Sequence, residues 1–142
     1  MVRTATHDLQ TTGQGDMHDV SGSVTEAIAN CGLLNGIVTV AIAGSTAAVT
    51  TIEFEPGAVA DFDAIMEVIA PRDGSYRHHE QWGDDNGSSH ARAAVVGPSL
   101  TLPVIDGELQ LGTWQQIVLA EFDTRPRRKR LVIQMIGECP SD

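Results

Sequence analysis

Aromatic residues are scarce in this chain: Phe, Trp and Tyr make up 4% of 142 residues. Its core must therefore be assembled from Val, Ile, Leu and Ala. Positive charge is scarce as well. Nine Lys and Arg stand against 19 Asp and Glu, a net charge of −10, which excludes general adhesion to nucleic acid or to an anionic membrane. No apolar run approaches the ~20 residues of a membrane helix. Met1 to Gln10 lacks the apolar stretch of a secretory signal, so a soluble, cytoplasmic protein is expected. Cysteine occurs only at Cys31 and Cys139, without metal-motif or redox-motif spacing. In a reducing compartment both stay thiols. Cys31 reads as a small core residue near a helix end, and Cys139 as part of a frayed tail.

What is present is ordinary globular composition, 42% apolar and 20% charged, in a length that suits a single domain over residues 1–142. Val2, Thr4 and Thr6 alternate as in a first strand. Val20, Val24, Ala27, Ile28 and Cys31 form a helical stripe, with Ser23 and Glu26 at capping-box spacing, Asp19 as an earlier start and Gly32 as a stop. Ile37 to Ala43 reads as a central strand, interrupted at Gly44-Ser45 and resumed from Thr46 to Phe54. Pro56 opens a second helix with an apolar face of Val59, Phe62, Ile65, Met66 and Ile69, closed by Pro71. Residues 72–89 form a long polar loop, mobile or functional. A short helical signal returns at Ala91 to Val96. Asp106-Gly107 is a hairpin turn, and strands are expected from Thr113 to Phe122 and from Arg130 to Ile136. The sum is an α+β domain, sheet-dominant, with seven or eight strands and two or three helices.

Four segments could carry chemistry. His78, His79, Asp84, Asp85 and His90 combine imidazole and carboxylate, a donor set that suits Zn or another divalent metal, although no HExxH or CxxC spacing is present. The alternative is a solvated polar loop. Gly44-Ser45-Thr46-Ala47 can turn backbone N–H groups toward an anion, or be a plain strand bend. Glu53 follows it in an apolar stretch, where a carboxylate faces water or needs a partner. Arg125, Arg127, Arg128, Lys129 and Arg130 are five of the nine cations within six positions. They are phosphate forks on one reading and a charged strand edge on the other. Trp114, within Gly112-Thr113-Trp114-Gln115, is a core residue or a ligand platform.

In this order the segments resemble the YjbQ-like family of secondary thiamine-phosphate synthases. The matching stretches are Gly44 to Gly57, Tyr76-Arg-His78, Trp82 with Asp84, and Asn86-Gly-Ser-Ser-His90-Ala-Arg92. They continue with Gly97 to Thr101, Leu111 to Gln116, Glu121-Phe-Asp123 and Arg125-Pro-Arg-Arg128. The resemblance spans about residues 2–138. It implies a compact α+β fold with a β-sandwich-like core, assembled as a homotrimer, with shared polar residues in clefts near subunit boundaries. It carries His78, His90 and Glu53 over as catalytic residues, with Asp61 matching an acid on the next helix. His78 and His90 double as ligands of a divalent metal, Zn or Mg. Ser45, Thr46, Asn86, Arg92, Gln115, Arg125, Arg127 and Arg128 become contacts to a small phosphorylated substrate.

The implied reaction joins an aminopyrimidine diphosphate to a thiazole phosphate with release of pyrophosphate. Two further readings use the same cleft: metal-assisted hydrolysis of a small phosphorylated metabolite, and a non-enzymatic trimer that binds a metabolite. Many relatives carry His where this chain has Gly44. In one subgroup Ser88 is often His and His79 is often Asp. A metal held by His78 and His90 therefore needs Glu53, Asp84, His79 or water as its third ligand.

Overall fold

A computed structural model describes residues 1–140 of the chain. Eight strands and four helices run in the order β1 (Val2–Gln10), β2 (Met17–Asp19), α1 (Ser21–Cys31), β3 (Asn35–Ile42), β4 (Ala47–Ile52), α2 (Pro56–Ile69), α3 (Arg77–Trp82), α4 (Gly87–Val96), β5 (Ser99–Ile105), β6 (Glu108–Leu109), β7 (Gln116–Glu121) and β8 (Arg128–Glu138). They build a five-stranded sheet, β1-β8-β3-β5-β6, and a three-stranded sheet, β2-β7-β4, and every pairing in both is antiparallel. No helix among the described residues is long and apolar enough to cross a membrane.

The core follows from strand alternation. Val38, Val40 and Ile42 of β3 meet Leu131, Ile133 and Met135 of β8, together with Val24, Ala27 and Ile28 of α1. Ala47, Val49, Ile117 and Leu119 join this cluster from the smaller sheet. The intervening residues of that sheet, Ala48 and Ala120, face the other way with Phe122 and pack on Met66 and Ala93. With period-2 side chains, one small sheet thus serves two apolar layers. The outward residues of the larger sheet carry few charges. Val2, Ile136, Ile37 and Pro103 lie in register as one apolar row.

Several expectations are corrected. The described residues form four helices, not two or three. The extra one, α3, lies inside the segment read as loop, and α4 starts at Gly87, ahead of the expected Ala91. Their stretch is rich in polar residues, so the apolar periodicity that marks a helix is absent. The penultimate long strand begins at Gln116, because Gln115 N–H turns back to the Gly112 carbonyl at 3.0 Å. Helix α1 begins at Ser21 with Asp19 accepting the Ser21 N–H at 2.9 Å, so Ser23 is not its cap. Helix α2 buries Met66, yet Ile65 and Ile69 are 55% and 50% exposed and Val68 is 83% exposed. Only part of its expected face meets the core. Gly32 does end α1, in the left-handed region at φ 70°, and Asp106-Gly107 forms the β5–β6 turn with positive φ at both positions.

Candidate functional site

Helices α3 and α4 and the turn between them bring five of the sequence-predicted residues together: His78, His79, Asp84, Asn86 and His90. Gly87, at the start of α4, presses on Tyr76: a Cβ there would lie 2.5 Å from the Tyr76 Cβ. That close approach lets the Gly87 N–H reach His79 Nε2 at 2.9 Å. His79 Nε2 is therefore an acceptor, and in the neutral ring its proton sits on Nδ1. Three residues further along α4, His90 reaches His78. Their ring centroids are 4.5 Å apart, edge to face at 63°. Both rings are half-buried.

His78 Nε2 lies 3.1 Å from Asp84 Oδ2. Asn86 completes the group. With its amide nitrogen turned toward Asp84, it donates to the two carboxylate oxygens at 3.3 and 3.2 Å, while the opposite orientation would leave its oxygen facing acceptors. Asp84 is thus held from two sides. In the same orientation the Asn86 N–H also lies 3.1 Å from His78 Nε2, so in the neutral ring Nε2 accepts from Asn86 and the proton sits on Nδ1, and only the imidazolium donates Nε2–H to Asp84. This is a carboxylate–imidazole pair with a second imidazole beside it.

The site is tied to the sheet at two points. Thr124 Oγ1 donates to Asp85 Oδ1 at 3.0 Å, and buried Ser89 donates its hydroxyl to the Phe122 carbonyl. Beneath that anchor lies a buried polar network. Thr46 Oγ1 accepts from Lys129 Nζ at 2.9 Å and donates to Asp123 Oδ2 at 3.1 Å. Arg127 Nε also binds Asp123, at 2.8 Å. Glu121 accepts from Thr11 Oγ1 at 2.7 Å and faces Lys129 Nζ at 3.6 Å. Burial pushes the Asp123 carboxyl up, but the bonds from Arg127 and Thr46 outweigh it and hold the group below its usual range. The sequence singled out Thr46 and Arg127 as substrate contacts and Lys129 within the basic run, but neither Glu121 nor Thr11 as a partner of these groups. Their partners lie up to 116 positions away, which no local spacing shows.

Other predicted residues stand elsewhere. Glu53 follows β4 at its far end and is exposed, whereas Thr46 precedes β4 near the network. At ~3.3 Å per residue the strand separates Glu53 from that level by roughly 20 Å. The structure does not bring Glu53 to His78 and His90. Gln115 is at the same far end, bonded to Thr51 Oγ1 at 3.1 Å. Trp114 is 71% exposed, not core. Asp61 and Ser45 are exposed. Arg92 is 2% exposed, and its guanidinium is committed to Glu67 at 2.7 Å and to the Ala70 carbonyl at 2.9 Å, so it does not face a ligand.

The basic run is not one patch. Strand alternation turns Lys129 inward and sends Arg128 and Arg130 to the outer face, where both clamp Asp8. Arg125 is exposed beside the turn that holds Gly13. A concavity of about 320 Å³ lies between β2 and the start of α2, lined by Asp16, Met17, Phe54, Glu55 and Val59. It does not include the histidines. Shape and chemistry disagree here, and the chemistry favours α3–α4, where titratable groups converge.

The donor set does not fit a resident metal in this arrangement. Among the described residues no three His, Cys, Asp or Glu side chains converge as a metal shell. His79 Nε2 is occupied by Gly87, and His78 Nε2 by Asp84.

Fold and site together define a small mixed α+β protein with a histidine–carboxylate cluster on a helix pair. The model of the family described as "UPF0047 protein YjbQ-like" matches residues 5–138. The chain belongs to that family. A UPF0047 protein of Methanothermobacter thermautotrophicus is 36% identical over 130 residues, 92% of this chain and 89% of the relative. Among solved structures, a YbjQ-like protein of unknown function from Sulfolobus solfataricus superimposes with a TM-score of 0.87 at 28% identity, covering 97% of this chain and 100% of that one. A hypothetical protein from Aeropyrum pernix gives 0.87 at 31% identity, over 96% and 99%.

These findings correct the expected reaction. The relatives carry a family name without an activity, and the Sulfolobus neighbour is described as of unknown function. Family membership transfers the fold and brings no thiamine-phosphate synthase activity with it.

Proposed function

We propose that the α3–α4 cluster is an acid–base site acting on a small polar substrate. His78 handles the proton, Asp84 orients it, and His90 is the second imidazole. The observation that carries this reading is the His78 Nε2–Asp84 contact at 3.1 Å beside the His90 ring at 4.5 Å. Imidazole is the side chain that changes charge near neutral pH. A carboxylate beside a ring nitrogen stabilises the imidazolium formed when the ring takes a proton. Arg127 is the nearby cation suited to a phosphate group on such a substrate, since its side chain is 46% exposed and only its Nε is spent on Asp123.

The test is hydrolysis of small activated esters, followed with imidazole-labelled protein by nitrogen NMR. The wild type is expected to exceed equimolar free imidazole, and His78→Ala to lose about 100-fold or more. Asp84→Asn is expected to destabilise the His78 imidazolium, read as a smaller share of the doubly protonated ring at a given pH. A wild-type rate no greater than that of free imidazole, or a doubly protonated share unmoved by Asp84→Asn, refutes the reading.

The chain also carries two separate uncovered apolar surfaces, which supports a homotrimer whose sheets pack as a sandwich. One is the row Val2, Ile136, Ile37 and Pro103 on the larger sheet. The other is Ile65, Val68 and Ile69 of α2, with Val95 of α4 at 61% exposure. Two unlike faces on one subunit suit a head-to-tail ring. Light scattering that returns a monomer overturns this assembly.

A further inference from the structure

We infer that Cys31 and Cys139 are a peroxide-oxidisable thiol pair, closing as a disulfide that fastens the end of β8 to the end of α1. This inference is independent of the acid–base site. The two residues are 108 positions apart, and both are free thiols. Spacing gave no reason to connect them, but the fold does. At the end of β8, Gly137 pairs with Gly36 of β3 so closely that a Cβ on Gly36 would lie 2.1 Å from the Ile136 carbonyl oxygen. The Leu34 N–H then binds the Glu138 carbonyl at 2.8 Å, holding the strand end across the α1–β3 connection.

Cys139 follows directly, and its Sγ stands 3.7 Å from the Cys31 carbonyl oxygen. Cys31 Sγ faces the same strand, 3.4 Å from Met135 Sδ. Bond formation asks for rotation of both side chains and a shift of the exposed Cys139, to the Cα separation of ~4.4–6.8 Å that a disulfide requires.

The oxidant is a hydroperoxide. The exposed Cys139 thiolate attacks the peroxide O–O bond and becomes a sulfenic acid, and the peroxide is reduced to alcohol or water. The Cys31 thiolate attacks Cys139 Sγ, the S–O bond breaks and hydroxide leaves as water. Two thiols lose two protons and two electrons, and the peroxide takes up both.

The test treats the full chain with stoichiometric hydrogen peroxide. Mass spectrometry should show loss of two hydrogens and a Cys31–Cys139 linked peptide. Thiol titration should fall from two groups to none, and a non-reducing gel should show no link between chains. Closing so long a loop should raise Tm by roughly 10 °C, reversed by dithiothreitol. Cys139→Ser, at an exposed position, should fold normally and lose the Tm rise. The inference is overturned if Cys139 proceeds to sulfinic acid while Cys31 stays titratable, or if the disulfide forms only between chains.

Discussion

Lys129 is the only lysine of the chain and is 8% exposed. Replacing it with methionine keeps the apolar stem and removes the ammonium. Glu121, 1% exposed, then loses its counter-charge at 3.6 Å, and Thr46 loses a donor at 2.9 Å. At an effective dielectric of ~20 the lost attraction is about 5 kcal/mol. Release of the lysine from its own desolvation offsets part of this. Glu121 also keeps Thr11 Oγ1 at 2.7 Å and the Asp123 N–H at 3.0 Å. The net loss is expected near the low end for a broken buried pair, about 3 kcal/mol. Urea denaturation should report that loss, with a Tm lower by roughly 10 °C. Adding Glu121→Gln removes the stranded charge, so the double variant should be about 2 kcal/mol more stable than the sum of the singles implies. A loss under about 1 kcal/mol, or strict additivity, would show that the ammonium and carboxylate are not coupled and that the network is not what holds the 44–46 bend.

Two further outcomes are expected. The carboxyls of Asp16 and Asp123 are both held below their usual value near 3.8. For Asp16, burial raises the value and the bonds from Thr12 and His18 overcome it. A depressed folded value means that stability is fully present above about pH 4 and is lost as pH falls through the folded values. Urea midpoints should be flat in this contribution from about pH 7 to 5 and drop below about pH 4, with a smaller drop in Asp123→Asn. Gly36→Ala forces a Cβ to 2.1 Å from the Ile136 carbonyl oxygen, against backbone that cannot swing aside. It should cost about 3 kcal/mol by chemical denaturation, and a change within about 0.5 kcal/mol would contradict the close strand pairing.

Much of the framework was legible in residue pattern. The stripe from Val24 to Cys31 gave α1, Gly32 its left-handed stop, and Asp106-Gly107 its hairpin, because these depend on neighbours a few positions apart. Helices α3 and α4 were not legible as a pair. Asn86, Gly87 and the histidines carry little apolar periodicity, and α3 shows no buried residue. The candidate site was half legible: His78, His90, Asp84 and Asn86 lie within a short stretch of imidazole, carboxylate and amide side chains. Their geometry depends on Gly87 packing against Tyr76, which only the folded chain shows.

By itself the sequence determined the residue types available and the local elements, since helix stripes, caps and turn residues act over a few positions. Tertiary structure decided which groups meet. Strand alternation split the basic run, turning Lys129 inward and Arg128 and Arg130 outward. The length of β4 carried Glu53 away from the histidines. The Gly36–Gly137 approach set Cys139 over Cys31. Each outcome depends on strand register or on contacts between residues far apart in sequence, and no window of neighbouring residues encodes those.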